Sequence, residues 1–328
     1  MTQLISGGDS RFCAESIYYL DLQKFDLHGS EFAIPDRRTG NRDINNSTSM
    51  EVGDHDIEQF IQAIASVSAY DFSEYSIKSL KRRLAKVLLD SRTDLKTLMG
   101  KITADPEFLE KTVKELTVNT TELFRDPPIW HTLRFEILPA YNEAEFINIW
   151  HAGCSTGQEV YSMIILLSEL GLSERSNLYA TDINPDVLEV ARKGEYKYRF
   201  NIGYLDNFDK VIKENPKNNE DYKDVSYSKY LDINLTRDLI SVNPDLLAKP
   251  EFKKMDLVTD PNPFPVKYDL IICRNVIIYF NYNLQNKVFK LFHDNLNQGG
   301  CLILGAHETI LGPFASYFEK RNQAYIKK

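Results

Sequence analysis

The fold is decided by residues 146–157, which read FINIWHAGCSTG. The first five residues of this segment predict a short apolar strand, and a helix is expected from Glu159 to about Leu170. A strand, a glycine turn and a helix in this order can build a nucleotide site. Glycine lets the backbone approach a ligand, and the helix N-terminus presents free N–H groups. The turn, Gly153-x-x-x-Gly157, lacks the middle glycine of the dinucleotide fingerprint, which disfavours a nicotinamide-dependent dehydrogenase.

Strands and helices alternate in the sequence that follows. A second strand at 178–181 ends at Asp182, which is placed to accept hydrogen bonds from ribose hydroxyls, and another helix begins near Pro185. Later elements are a strand at 268–273, a helix at about 284–296, and strands at 301–304 and 323–326. This alternation predicts a doubly wound α/β sheet, interrupted by an insertion at residues 200–250, which are polar and rich in tyrosine.

A helical region precedes the sheet. Apolar residues recur at helix spacing in two segments, and a third helix is expected to begin at Asp105 and Pro106. The apolar faces comprise Ile57, Phe60, Ile61 and Ile64 in the first helix and Ile77, Leu80, Leu84, Val87 and Leu88 in the second. The sequence therefore predicts an N-terminal extension at 1–53, a helical N-terminal domain and linker at 54–139, and an α/β domain at 140–328.

Charge and cysteine usage disfavour several classes of protein. A formal net charge of -8 does not suit nucleic-acid binding, which needs a concentrated basic surface. Four cysteines lie far apart without a C-x-x-C pair, and six histidines show no metal-ligand spacing, so neither a disulfide framework nor a metal is expected. The sequence has no apolar run of about 18 residues and no basic-then-apolar N-terminus, so we expect a cytoplasmic protein without membrane insertion.

Four motifs make the interpretation specific when they are taken together. They are NTTELFRD at 119–126, GCSTGQEVYS at 153–162, ATDI at 180–183 and ICRNVIIYF at 272–280. In content and order they resemble the chemotaxis receptor methyltransferases, the CheR family, over about residues 54–328. The resemblance implies a class I methyltransferase-like sheet, S-adenosylmethionine as cofactor and S-adenosylhomocysteine as product. It also implies that the substrates are glutamate side chains on the cytoplasmic helical bundle of chemoreceptors.

The resemblance further implies which residues surround the cofactor. They are Asn119, Thr121, Arg125, Gly153, Glu159, Asp182, Asp256, Leu257, Arg274 and Asn275. Of these, Asp182 is expected to hold the ribose, and Glu159 to lie near the amino-acid end of the cofactor. The chain departs from the family where glutamate and proline are common, at Gln158 and Val160, and where asparagine is frequent, at Asp256. Because Glu159 remains, cofactor binding is expected to persist.

Arg125 and Tyr279 are the expected catalytic residues. A glutamate side chain with a pKa near ~4.3 is already ionised at neutral pH, so methylation of its carboxylate needs no general base. The Arg125 guanidinium suits the positioning of a carboxylate through two parallel hydrogen bonds, and Tyr279 can donate a hydrogen bond or pack beside the transferring methyl group. The second helix carries basic residues that we expect to dock an acidic receptor surface, although a solvated face fits the pattern equally well. They are Lys78, Lys81, Arg82, Arg83 and Lys86.

Three alternatives stay open at this point. A catalytically silent member of the family would bind cofactor or receptor as a regulatory module. Gln158 and the N-terminal extension are compatible with that role, whereas Arg125 and Tyr279 favour activity. A methyltransferase acting on a small molecule, a nucleic acid or another protein is disfavoured by the basic second helix together with the Arg125 motif. A dehydrogenase is disfavoured by the glycine turn, and the sequence does not indicate an oligomeric state.

Overall fold

The structure, a computed structural model, describes residues 52–117, 119–218 and 222–328. The predicted extension at 1–53 therefore lies outside the described residues except for its last two positions. Over the part of the chain that is described, no helix is both long and apolar enough to cross a membrane.

The described chain opens with a group of helices. Their bounds are α1 Asp54–Ala65, α2 Ile77–Asp90, α3 Leu95–Ala104 and α4 Pro106–Leu116. They share a core in which Phe60, Ile64 and Leu84 are fully buried. The Asp105 carboxylate accepts hydrogen bonds from the first N–H groups of α4, which fixes the start of this helix where the sequence predicted it.

Two details of the helical region differ from the sequence-based expectation. Helix α3 was not predicted, because it is short and contains Gly100, which weakens the helical pattern. Ile77 was expected on the buried face of α2 but is 52% exposed, since it is the first residue of the helix. The other four members of that face are buried as expected. The domain boundaries at 53 and 139 stay a prediction.

The remaining regular structure consists of further helices and two sheets. The helices are α5 Pro127–Thr132, α6 Gln158–Glu169, α7 Pro185–Lys193, α8 Gly203–Phe208, α9 Pro244–Leu247 and α10 Tyr282–Asn295. The strands are β1 Ile147–Ala152, β2 Ser176–Asp182, β3 Glu195–Lys197, β4 Leu231–Asn234, β5 Leu239–Val242, β6 Pro250–Lys254, β7 Tyr268–Cys273, β8 Leu296–Leu304, β9 Phe318–Arg321 and β10 Ala324–Lys327.

The main sheet has seven strands in the order β6-β2-β1-β7-β8-β10-β9. The pairs from β6 to β8 are parallel, and β10 runs antiparallel to both of its neighbours. Side chains of β1 alternate between two cores: Ile149 joins the core that includes α6, and Trp150 joins the core that includes α10. Because both faces are covered by helices, the predicted doubly wound α/β sheet is confirmed.

Three features of the sheet region differ from the prediction in detail. Strands β6 and β9 were not predicted, because each is a polar edge strand without an apolar run. Strand β8 begins directly after α10 and continues through Gly299 and Gly300, where a loop was expected. A second sheet, β3-β5-β4, spans residues 195–242 and overlaps the insertion predicted at 200–250, whose role stays a prediction.

Gly157, at the end of the turn after β1, packs closely against helix α7. Its φ is +90°, and a Cβ added there would lie 2.8 Å from the Cβ of Ala191 on α7. We expect Gly157→Ala to lower the free energy of unfolding by about 2 to 4 kcal/mol, measured by urea denaturation. Gly171→Ala is the matched control, because Gly171 also has a positive φ, +72°, but nothing within 4 Å of its added Cβ. Equal losses for the two variants would contradict the close packing.

Candidate functional site

A pocket lies at the carboxyl ends of β1, β2 and β7, where the loops after parallel strands meet. Its floor is formed by the turn after β1, by Asp182 at the end of β2 and by the loop at 274–280 after β7. Residues 255–257 after β6 and the segment 119–125 complete the α/β side. The helical region contributes the opposite wall, and the residues from it are Phe72, Tyr75, Ser79, Leu80, Arg83, Leu116 and Thr117.

Gly153 lets the turn after β1 bend against the neighbouring loop. Its φ is +77°, and a Cβ at this position would lie 2.5 Å from a methyl carbon of Val276. The N–H groups of Gly153 and Cys154 both donate to the carbonyl oxygen of Thr181, at 2.8 and 2.9 Å, so the turn is fixed to the end of β2. Glycine is therefore required here by both backbone conformation and space.

Asp182 presents its carboxylate to the pocket in a fixed orientation. One oxygen accepts a hydrogen bond from the Ser155 N–H at 2.8 Å, and the other accepts from the Asn184 N–H at 3.0 Å. Burial raises the pKa of Asp182, and these backbone hydrogen bonds oppose that rise. Each oxygen keeps lone-pair capacity, so the carboxylate can accept hydrogen bonds from a ligand hydroxyl without moving.

Glu159, in the first turn of α6, belongs to a buried charged cluster. One carboxylate oxygen lies 3.0 Å from Nδ1 of His151, and the other accepts from Nη1 of Arg274 at 3.1 Å. The Nη2 atom of Arg274 donates to a carboxylate oxygen of Asp126 at 2.7 Å and to the backbone oxygen of Arg125 at 2.8 Å. The cluster therefore joins the acid at the helix N-terminus to the loop that carries Arg125.

The Arg125 side chain lines the pocket, and few protein groups occupy its hydrogen-bond donors. Its Nη1 atom donates to the carbonyl oxygen of Thr120 at 3.3 Å, and across the described ranges no carboxylate pairs with this guanidinium. Phe124 and Asp126, on either side of it, adopt the left-handed conformation with φ of 51° and 57°. The Arg125 carbonyl also accepts from Nε1 of Trp130 at 2.9 Å. The backbone is thus anchored, while the side chain stays available for an anionic group.

Tyr279 and Arg83 are pocket residues from the α/β region and from helix α2, respectively. Tyr279 ends the 3-10 turn at 277–279, and its backbone oxygen accepts from the Ser76 N–H at 2.8 Å. Burial lowers the pKa of the Arg83 guanidinium, and the electrostatic interaction with Tyr279 opposes that shift. Both side chains line the pocket. Of the basic residues predicted on α2, Arg83 therefore faces the site.

The other basic residues predicted on α2 are not brought to the pocket. Lys81 pairs with Asp54 at 2.8 Å, and Lys86 pairs with Asp90 at 2.6 Å. Lys78 and Arg82 are exposed. By contrast, every residue predicted around the cofactor or in catalysis lines the pocket. Their roles stay predictions, since lining a pocket does not assign a function.

The structure also gives Gln158 a definite environment. Its side-chain amide donates to the Tyr204 hydroxyl of α8 at 2.8 Å, and its oxygen accepts from the Thr156 hydroxyl at 2.6 Å. Gln158 is 5% exposed and so serves as an internal contact between the turn and α8. The glutamine at position 158, where the family often has glutamate, is therefore accommodated by hydrogen bonds to two neighbouring side chains.

Tyr75 is a pocket residue that the sequence did not single out. It pairs with Phe280 through an isolated antiparallel bridge, and burial raises the pKa of its hydroxyl. His151 was also missed. It lies on β1 among apolar neighbours and reaches Glu159 only through folding of the turn. Neither residue belongs to a local pattern of polar residues that marks a site.

Comparisons with known proteins identify the family of the chain. A family model described as the CheR methyltransferase, SAM binding domain, matches residues 119–326, more than half of the chain. Cher3 of Pseudomonas putida is 35% identical over 275 residues, covering 83% of this chain and 94% of that protein. A chemotaxis protein methyltransferase of Vibrio parahaemolyticus is 30% identical over 267 residues, covering 78% of this chain and 89% of that protein. The resemblance inferred from the motifs is confirmed: the chain belongs to the CheR family of chemotaxis protein methyltransferases, which bind S-adenosylmethionine.

Proposed function

We propose that this protein transfers the methyl group of S-adenosylmethionine to glutamate side-chain carboxylates of chemoreceptors, forming methyl esters for sensory adaptation. The observation that carries the proposal is the Arg125 guanidinium, which lines the pocket without a carboxylate partner in the described parts of the chain. A pocket that binds an anionic acceptor needs N–H donors of this kind that are not already paired with a carboxylate of the protein. The receptor's cytoplasmic helical bundle is the proposed partner, which puts the reaction in the cytoplasm.

The pocket residues fit S-adenosylmethionine. Asp182 is held by two backbone N–H groups and offers free lone pairs to a ribose diol. Glu159, Asp126 and Arg274 together carry a net charge of about -1 when ionised, which complements the ammonium group at the amino-acid end of the cofactor. When bound, the cofactor supplies a methyl group on a positively charged sulfur, which a carboxylate oxygen can displace.

The chain's own contribution is to position the acceptor. At neutral pH a solvent-exposed glutamate is ionised, with a pKa near about 4.3, so no residue has to remove a proton. Arg125 orients the carboxylate, and Tyr279 lines the pocket beside it together with Arg83. Catalysis then comes from alignment and from replacing water around the carboxylate with fixed donors.

The test of this function is transfer of an isotope-labelled methyl group from S-adenosylmethionine to a panel of receptor cytoplasmic fragments. We expect label on at least one fragment and its release by mild alkali, because esters hydrolyse under conditions that leave N-methyl groups intact. Measurable cofactor binding with no labelled fragment would favour the catalytically silent module. Label that survives alkali would point to a different acceptor group.

The exposed basic residues of α2 give a separate prediction about docking. Replacing both Lys78 and Arg82 with glutamate is expected to raise the KM for a receptor fragment about tenfold and to leave kcat within about twofold, since both residues are exposed and away from the pocket. The effect should shrink at high salt. Replacing Lys96 and Lys193 with glutamate changes the net charge equally and is the control. Equal KM changes in both double variants would contradict docking by α2.

A further inference from the structure

The buried cluster around Glu159 contains a histidine for which the proposed chemistry has no use. His151 lies on β1 and is 0% exposed. Its Nδ1 atom lies 3.0 Å from a carboxylate oxygen of Glu159, and its Nε2 atom has no hydrogen-bond partner among the described residues. A buried polar side chain that makes a single contact, and makes it to a pocket residue, calls for a physical reason.

We propose that His151 is a positioning residue that aims the Glu159 carboxylate at the ammonium end of the cofactor and, through Arg274, couples cofactor binding to the Arg125 loop. The inference rests on the proposed function for the placement of the cofactor and for the role of Arg125. His151 itself does not line the pocket.

The geometry of Glu159 supports this role. Each of its two carboxylate oxygens has one protein donor, His151 on one side and Arg274 on the other. Two donors from opposite sides fix the plane of the carboxylate, and the remaining lone pairs are free for a ligand. Removing the His151 donor leaves the carboxylate held at one oxygen only, so the group can rotate about its side-chain bonds.

Charge explains why a histidine suits this position. Because the carboxylate accepts, Nδ1 carries the proton, and a neutral ring then leaves a lone pair at the unpartnered Nε2. In its neutral form the imidazole supplies a hydrogen bond without adding a second cation beside Arg274. A lysine or arginine at 151 would cancel the net negative charge that attracts an ammonium group.

The ionisation of Glu159 is consistent with this arrangement. Burial alone would raise the pKa of its carboxyl group. The hydrogen bond from His151 and the charge of Arg274 outweigh burial, so the pKa is lowered. Glu159 is therefore an anion at neutral pH, as recognition of an ammonium group requires.

The cofactor side of the pocket is coupled to Arg125 through the Nη2 atom of Arg274. Its Nη2 atom holds the Arg125 carbonyl at 2.8 Å and the Asp126 carboxylate at 2.7 Å, while Nη1 holds Glu159. The Arg274 side chain is 2% exposed and planar, so a rotation of Glu159 shifts both contacts together. Loosening Glu159 should therefore affect the acceptor side of the pocket as well as the cofactor side.

The test compares three variants, His151→Leu, His151→Asn and His151→Gln, for affinity toward S-adenosylhomocysteine by calorimetry. An asparagine amide reaches the position of Nδ1, whereas a glutamine amide reaches that of Nε2. We expect about tenfold weaker binding for Leu and Gln and restoration to within about threefold for Asn, since one hydrogen bond to a charged group is lost or kept. The thermal midpoint of each unliganded variant checks folding.

Several outcomes overturn the inference. One is wild-type affinity for S-adenosylhomocysteine in a folded His151→Leu variant. If that variant fails to fold, equal affinities of the His151→Asn and His151→Gln variants overturn the inference instead. In a Glu159→Gln background the His151→Leu change should have less than about twofold effect; an unchanged tenfold loss would show that His151 does not act through Glu159. The binding measurement needs no receptor, so it stays decisive even if receptor methylation, and with it the proposed function, fails. Where methylation is measurable, kcat should fall with His151→Leu and recover with His151→Asn.

Discussion

Replacing Arg125 with alanine is expected to lower receptor methylation at least about 100-fold while leaving the fold intact. The physical reason is that, in the proposed function, the side chain supplies the donors that orient the acceptor carboxylate, whereas its backbone carbonyl makes the structural contacts. That carbonyl accepts from Trp130 and Arg274, and both hydrogen bonds survive the substitution. The measurement is kcat/KM for a receptor fragment, with the thermal midpoint as a check on folding.

Arg125→Lys is the matched variant for this prediction. It keeps the positive charge but loses the planar fork, so we expect activity between that of the wild type and that of Arg125→Ala. Affinity for S-adenosylhomocysteine should change less than about tenfold in both variants, because Asp182 and Glu159 keep their contacts. Unchanged turnover in Arg125→Ala would remove Arg125 from the mechanism.

The second large effect is expected at Asp182, where asparagine should weaken S-adenosylhomocysteine binding at least about 100-fold. Both carboxylate oxygens accept backbone N–H groups, from Ser155 and from Asn184. An amide can accept at its oxygen only, so its NH₂ group must face one of these two donors. The turn at 153–157 would then shift, and a ribose acceptor would be lost at the same time.

The control for this change is Asp186→Asn, four residues further along. The Asp186 carboxylate is 69% exposed and pairs with Lys114 at the surface of α7, so its loss should leave cofactor affinity within about twofold of the wild type. Calorimetry on both variants measures the difference directly. Wild-type affinity in Asp182→Asn would contradict the assignment of Asp182 to the ribose.

The sequence predicted the parts of the fold that are encoded locally. The apolar strand, the glycine turn and helix α6 follow one another without interruption, so their order alone predicted β1, the turn and the helix. Strands β6 and β9 were missed, because an edge strand that is polar on its open side lacks both an apolar run and regular alternation. Helix α3 was missed for a related reason, since its weak pattern contains a glycine.

In the candidate site, too, the sequence predicted the residues that belong to local motifs but not the contacts that form only on folding. Each of the four motifs contributes residues to the pocket. Three of the motifs lie at or directly after the carboxyl ends of β1, β2 and β7, which meet at one edge of the sheet, and the fourth is the segment 119–126. The contacts around Glu159 could not be predicted, since Arg274 meets Glu159 only after β1 and β7 pair, and His151 meets it only through folding of the turn between β1 and α6. The basic residues of α2 also look alike in the sequence, and the packing of the helix decides that Arg83 alone among them faces the pocket.

The central claim concerns the atom that receives the methyl group, and tandem mass spectrometry of a methylated receptor fragment identifies that atom's residue. The proposed function predicts one added methyl mass on a glutamate side chain, lost after alkaline treatment and absent when Arg125→Ala replaces the wild-type enzyme. A methyl group on a lysine, arginine, histidine or backbone nitrogen, or transfer that does not depend on Arg125, would contradict it.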